Sequence, residues 1–413
     1  DGEDVISTIR CLRALGVYIG TGPNPGEYTI DGQGPHLTEP SDILDAGNSG
    51  TSLRLLSGLL ASQPFVSVLT GDESLRSRPM RRIVDPLTLM GAQIMGRKEG
   101  SLAPLVIRGG SLKGIEHELP VASAQVKSCI MIAGLSADGP TVIRQPALSR
   151  DHTARMIQAM GAKIETHGLD LVVHPAELKA ADITVPGDIS SAAFWMVLGL
   201  CHTNSRILVH GVGLNPSRTG IIDALSAMGA GDSLQMLEPR NEGGELVADV
   251  LVTPAQLHGT EIGGDMMPRI LDEIPVLALA ACFANGDTVI RDAAELRIKE
   301  SDRITTTVEE LTRLGADIEA REDGMIIHGR GPGSGGLAGA TCFSHGDHRL
   351  AMALAVAGLL VDGNTTVQGA EAASVSYPDF WEHSILGIRL CRSSLRSNQR
   401  QPPIRSRPIG RTS

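Results

Sequence analysis

The sequence predicts an α/β protein of two similar halves, each built from three copies of one strand-and-helix unit. Three observations carry this. At 413 residues the chain is too long for one ordinary core, and 42% of it is apolar, enough to fill two. An amphipathic run ending in Leu, Met or Ile, then Gly, then an apolar strand recurs six times, with the glycines at 16, 91, 161, 229, 315 and 387. Between these marks, polar turns lead into strands rich in Thr, Val and Ile, as in Gly139-Pro140-Thr141-Val142-Ile143-Arg144 and Gly286-Asp287-Thr288-Val289-Ile290-Arg291.

Taken in order, Leu12-Arg13-Ala14-Leu15-Gly16 ends the first helix, and Leu89-Met90-Gly91 ends the second such run. Ala159-Met160-Gly161, Ala227-Met228-Gly229, Arg313-Leu314-Gly315 and Ile385-Leu386-Gly387 follow. Each glycine can take the left-handed conformation that stops a helix before a strand. Strands are also expected at Phe65-Val66-Ser67-Val68-Leu69, Arg206-Ile207-Leu208-Val209 and Gly363-Asn364-Thr365-Thr366-Val367. Units one to three fill residues 1–185. Pro186-Gly187-Asp188-Ile189-Ser190-Ser191 opens a new helix, and units four to six run over 186–388. The first unit has its loop and helix but no strand before them, so the chain is expected to begin inside a repeat. Residues 389–413 hold seven Arg and no acid, with little to bury, and are expected to be a basic disordered tail. A nucleic-acid-binding arm is the other reading of that tail.

Composition narrows the function. The net charge of −11 argues against a general binder of nucleic acid or membrane surfaces, and without the tail it would be −18. Ten aromatic residues are too few for stacking on bases. The six cysteines form no CxxC pair, and Cys129, Cys201 and Cys282 lie in apolar runs, as reduced thiols of a cytoplasmic protein do. No apolar run reaches the length of a membrane span. Anionic ligands would have to be drawn in by local basic clusters.

Such clusters sit where strands run into helices. Arg297-Ile298-Lys299-Glu300-Ser301-Asp302-Arg303 is the densest. On a helix Lys299 and Arg303 would share a face, with Glu300 beside them. Cations around a carboxylate suit an anionic substrate that gains or loses a proton, although a solvated helix turn has the same pattern. Asp45-Ala46-Gly47-Asn48-Ser49-Gly50-Thr51-Ser52-Leu53-Arg54 is a Gly-rich turn into a helix, an anion cradle or a plain cap. It lacks the Gly-Lys-Ser/Thr ending of a P-loop. In Ser74-Leu75-Arg76-Ser77-Arg78-Pro79, Pro79 can open the next helix beside two arginines. Ser123-Ala124-Gln125-Val126-Lys127-Ser128 offers hydroxyl, amide and ammonium donors at a helix start. Asp272 and Glu273 precede the apolar run 276–283. There desolvation would raise a carboxyl pKa and suit a general base, unless the acids only cap the helix. Ser344-His345-Gly346-Asp347-His348-Arg349 sets a cation before another apolar helix. Its two histidines find no further ligands at metal spacing.

These blocks carry a resemblance. LDAGNSGTSLRLL, SLRSRPM, VASAQVKS, LSRDHT, PGDISSAAF, LDEIPVLALAA, LRIKESDR, GDHRLAMALA and SYPDF, in that order, resemble the EPSP synthase (3-phosphoshikimate 1-carboxyvinyltransferase) family over residues 2–388. The resemblance implies the inside-out α/β barrel of enolpyruvyl transferases: two domains, each of three repeated βαβ-type units, closing on substrate by a hinge. It implies transfer of the enolpyruvyl group of phosphoenolpyruvate to the 5-hydroxyl of shikimate 3-phosphate, with phosphate leaving, in the shikimate pathway of aromatic amino acid biosynthesis. No cofactor or metal is implied, and a monomer is expected.

By the same resemblance Ser123, Ala124, Gln125, Ser149, Arg150, Asp272 and Lys299 would hold shikimate 3-phosphate. Asn48, Gly50, Arg78, Gln125, Arg303 and Arg349 would surround phosphoenolpyruvate. Asp272 would take the hydroxyl proton, Lys299 would touch substrate near it, and Glu300 would exchange the methylene proton. The family's Lys-Ser-x-Ser-x-x-Arg block, which contacts both substrates, would lie before Asp1, so low turnover is expected of the chain as written. Two rivals remain. One is the related transferase acting on UDP-N-acetylglucosamine, although its loop cysteine has no counterpart in Asp72-Glu73-Ser74-Leu75-Arg76. The other is a fragment that binds ligand without turnover.

Overall fold

The basic unit of the protein is a strand, a crossover helix, a parallel strand, a second helix and a terminal hairpin. The computed structural model describes residues 2–384 except 25, 35, 243, 332, 334 and 335. The unit is complete in three four-stranded sheets. In the first, Leu44–Asp45 pairs parallel with Val66–Thr70 through the Gly50–Leu60 helix. The Arg81–Met90 helix then leads to the hairpin of Gln93–Gly96 and Leu102–Arg108, which pairs antiparallel with Val66–Thr70. The same spatial order, first, second, fourth, third, recurs in the sheet from Glu116–Glu118 to Asp170–Val173 and in the sheet from Glu261–Ile262 to Gly324–Arg330.

The remaining sheets are parts of this pattern. Ile207–Gly213, Leu234–Glu242 and Glu245–Val252 lack only the first strand, which is reduced to the parallel bridge of Gly187 to Val212. Tyr18–Thr21 with Tyr28–Asp31 is a hairpin half, and Thr341–Phe343 with Thr366–Gln368 is a parallel half. The mixed α/β fold of repeated units read from the sequence is therefore present.

The two kinds of helix differ for a physical reason. The crossover helices Gly50–Leu60, Ala124–Gly134, Ile189–Cys201, Ile274–Cys282 and His348–Leu360 are apolar nearly all round and pack inside. Every residue of Ile274–Cys282 is buried. The second helices, such as Arg81–Met90 and Arg303–Arg313, keep a charged outer face. Their stop signals behave as the sequence suggests: Gly91 has φ +118° and Gly315 φ +94°, left-handed backbone that a side chain would strain. Gly387 and the 389–413 tail lie outside the described residues.

One core joins buried apolar side chains from Cys11 to Val173. Residues up to Pro378 form one compact unit, and 380–384 beyond it are helical. Among the described residues no helix is long and apolar enough to cross a membrane.

Candidate active site

Helix starts from both halves converge on one cavity of about 470 Å³. The caps explain why. Ser49 accepts from the Ser52 amide, Ser123 from Val126, Asp347 from Arg349 and Asp302 from Thr305, so the chain turns sharply at each strand end and aims helix N-termini inward. The N-terminal partial positive charge then adds to that of the side chains. Every site residue expected from the sequence lines this cavity: Asn48, Gly50 and Arg78; Ser123, Ala124, Gln125, Ser149 and Arg150; and Asp272, Lys299, Glu300, Arg303 and Arg349.

Asp272 is the point where these segments meet. Its carboxylate bonds Arg150, lies 3.3 Å from both Lys299 Nζ and Arg303 Nη1, and is 3.9 Å from Arg218 and Arg349. Burial pushes its pKa up, but Lys299, Arg150, Arg349 and Arg303 together hold it well below the usual carboxylate range. Glu300 lies across from it, 2.6 Å from Arg303 Nη2 and 3.3 Å from Arg78 Nη1. Burial again opposes ionisation, and Arg303 and Arg78 outweigh it. Arg303 is itself only 1% exposed and is oriented by Asp347, with Nε at 2.7 Å and Nη2 at 3.2 Å.

On the opposite wall Arg78 donates to Asn48 Oδ1 at 3.1 Å. Gln125 donates to Thr51 Oγ1 at 2.8 Å and accepts from Arg54. The Ser149 hydroxyl is turned inward and donates to Gln145 Oε1 at 2.8 Å.

Four expectations need correction, one being that Lys127, expected as a donor at the helix start, is 1% exposed and turned to Gln145 and the Ser149 carbonyl instead. The 297–303 stretch is not one helix: a 3-10 turn covers Ala294–Ile298, Lys299 is extended, and the α-helix begins at Arg303 behind its cap Asp302. The cap competes successfully for the backbone, and Lys299 and Arg303 still reach the same Asp272 oxygen from different elements. The carboxyl raised by burial is Glu273, which accepts from Ser190 and Arg218, whereas Asp272 is lowered. Pro79 does not open the following helix, which begins at Arg81 after Met80.

The two histidines of 344–349 separate. His348 lines the cavity, and His345 bonds Glu310 at 2.8 Å. Glu309, Glu310 and His345 bring ligand atoms within 4.8 Å of one another, but Glu310 is already engaged by Arg313 and the Phe343 amide.

The sequence reading passed over several lining residues. Arg54 is four residues after Gly50 on the same helix and so shares its face, which was the available signal. Burial and then Arg78 and Arg82 lower its pKa to about 10. Arg82 and Glu295 form a two-pronged pair at 3.1 and 3.3 Å between the two halves, and no local pattern announces it. Asp4 is a further wall residue.

The family model of EPSP synthase (3-phosphoshikimate 1-carboxyvinyltransferase) matches residues 1–383. The chain belongs to the EPSP synthase family. Its curated relatives include the 3-phosphoshikimate 1-carboxyvinyltransferases of Desulforudis audaxviator (strain MP104C), 53% identical over 391 residues, and of Bacillus cereus (strain 03BB102), 52% identical over 384. These alignments cover 94% and 92% of this chain and 89% and 87% of the relatives. Among solved structures, EPSP synthase from Acinetobacter baumannii superposes with a TM-score of 0.81 at 46% identity, covering 92% of this chain and 87% of that one. The enolpyruvyl transferase NikO from Streptomyces tendae, at 20% identity and a TM-score of 0.72, shares the fold. It covers 93% of this chain and 86% of its own. This EPSP synthase family member is therefore a transferase of the two-domain α/β type, and enolpyruvyl transfer in the shikimate pathway is its reaction.

Proposed function

We propose that the cavity divides its charged groups between two anionic substrates. Ser123, Ala124, Gln125, Ser149, Arg150, Asp272 and Lys299 take shikimate 3-phosphate; Asn48, Gly50, Arg78, Gln125, Arg303 and Arg349 take phosphoenolpyruvate. The observation that carries this is the pair of ionised carboxylates, Asp272 and Glu300, each held among cations of the same cavity and joined by Arg303. Phosphoenolpyruvate brings a carboxylate and a phosphate, which arginine forks fit in bidentate fashion. The buried Arg78 Nε, without a protein partner among the described residues, is a donor such an anion would satisfy.

The chemistry follows from the same charges. Asp272 is a poor base while cations crowd it. Substrate phosphate and carboxylate groups compete for Arg150, Arg303 and Arg349, and its pKa then rises toward a useful value. Asp272 accepts the proton of the 5-hydroxyl as that oxygen bonds to C2 of phosphoenolpyruvate. Glu300, its pKa raised in the same way as Arg78 and Arg303 turn to substrate, takes up a proton from solvent and delivers it to the methylene carbon. It then removes a proton from that carbon as phosphate leaves, restoring the double bond, and the hydroxyl proton held by Asp272 passes to the departing phosphate. Orientation and charge stabilisation supply the rest of the acceleration.

Asp272→Asn is expected to lower kcat by ~10²–10⁴-fold relative to the unsubstituted protein, with KM values far less affected. Glu300→Gln is expected to suppress exchange of solvent deuterium into the methylene group. Near-normal kcat in Asp272→Asn would remove the proton-accepting role. The buried, unpaired cysteines among the described residues fit a reducing compartment, and we place the protein in the cytoplasm as a monomer, with the halves divided near residue 186.

A further inference from the structure

Behind the wall made by Ser149 and Arg150 lies a cation that the reaction as described does not use. Lys127 belongs to the Ala124–Gly134 helix, whose start at Ser123, Ala124 and Gln125 faces the cavity. Its side chain turns the other way and is 1% exposed. Nζ donates to the Ser149 carbonyl at 3.0 Å and to Gln145 Oε1 at 3.2 Å. The Ser149 hydroxyl donates to the same Gln145 oxygen at 2.8 Å, and Gln145 Nε2 donates to the Leu169 carbonyl at 3.1 Å.

The ammonium thus joins the helix to the loop that carries Ser149 and Arg150, bonding neutral oxygens rather than a carboxylate. Burying a charge on such terms is costly, and a hydrophobic side chain of similar length would avoid the cost. Removing it would leave the carbonyl of Ser149 without this donor and free the loop on which Arg150 reaches Asp272.

We infer that Lys127 is a positioning residue for shikimate 3-phosphate: it fixes the Ser149–Arg150 backbone against the helix start at Ser123 and sets a positive charge directly behind that wall. The inference rests on the subsite assignment given under Proposed function. Two supporting features lie alongside. The Ser128 hydroxyl meets Thr153 Oγ1 at 2.8 Å, a second tie from the helix to the His152–Ala159 helix that follows the loop. Burial lowers the Lys127 pKa to about 8, while Asp151 on the loop favours the ammonium; Gln145 and Ser149 do not titrate. An anion bound in front of the wall would hold the proton on.

The test is calorimetry of shikimate 3-phosphate binding to the full chain, with steady-state kinetics beside it. Lys127→Met is expected to raise Kd and KM for shikimate 3-phosphate about tenfold or more, while KM for phosphoenolpyruvate and kcat stay within about threefold. In the unsubstituted chain, binding near pH 9, measured in two buffers of different ionisation enthalpy, is expected to take up a proton. Lys127→Met is expected to abolish that uptake; Arg54, titrating near 10, is unchanged in the variant.

A folded Lys127→Met protein with ordinary shikimate 3-phosphate affinity overturns the inference. If the variant does not fold, the unsubstituted chain still decides: affinity independent of pH between 7 and 9.5 with no proton uptake overturns it. Failure of the unsubstituted chain to bind shikimate 3-phosphate at any pH overturns the subsite reading itself, and this inference with it.

Discussion

Asp272 and Glu273 are neighbours, both buried, at 8% and 2% exposure, yet their ionisation is pushed in opposite directions. Desolvation acts on both; the difference is which cations each can reach. His348 shows the same logic with the sign reversed. Burial, then Arg349, lowers its pKa from 6.5 to about 4 although Asp347 pulls the other way. The unfolded chain takes up a proton near pH 6.5 and the folded chain not until about 4. The stability tied to this residue is therefore whole above 6.5 and lost as pH falls through that window. The loss is expected to be roughly 2–3 kcal/mol. Urea midpoints at pH 7 and pH 5 should fall further for the unsubstituted chain than for His348→Gln; equal falls would refute it. The charged residue types were legible in the sequence, but their protonation was not, since it depends on groups as distant as Arg150, 122 positions from Asp272.

Among elements, the Gly50–Leu60 and Ala124–Gly134 helices approach each other closely at Gly58. A Cβ on Gly58 would stand 2.2 Å from the Cys129 carbonyl oxygen, a backbone atom that cannot step aside without moving its helix. The nearest atoms to a Cβ on Gly134 belong to the Thr141 side chain, at 3.1 Å and beyond. Gly58→Ala is therefore expected to cost about 2–3 kcal/mol and Gly134→Ala less than about 1 kcal/mol, read from urea midpoints. Comparable costs would show that the helix pair can spread. At this scale the sequence was most informative. The glycine stops at 16, 91, 161, 229 and 315 all have positive φ, because the requirement is local. Where a cap overrode periodicity, at Asp302, the sequence reading of a helix through Lys299 failed.

Across the whole molecule, a net charge of −11 coexists with a cavity whose walls carry Arg54, Arg78, Arg82, Arg150, Lys299, Arg303 and Arg349. The attraction of anionic substrates is therefore local and open to screening. Raising salt from about 0.05 to 0.5 M shortens the Debye length from roughly 14 to 4 Å and is expected to raise KM for phosphoenolpyruvate several-fold. Steady-state assays check this, and an unchanged KM would mean the cations do not act on the approaching ligand. The converse prediction is stabilisation: shikimate 3-phosphate at about 100 times its Kd should add about 2.7 kcal/mol to unfolding free energy. A melting temperature indifferent to that ligand would contradict it.

By itself the sequence determined the repeated unit, the places where strands hand over to helices, and the residue types gathered there, because caps, glycine stops and apolar periodicity act over a few residues. Tertiary structure alone decided that Arg82 meets Glu295, that the pKa of Asp272 is lowered while that of Glu273 is raised, and that Lys127 turns away from the cavity to brace its wall. Those outcomes depend on burial and on charges from distant segments, which become neighbours only after the crossover helices have packed.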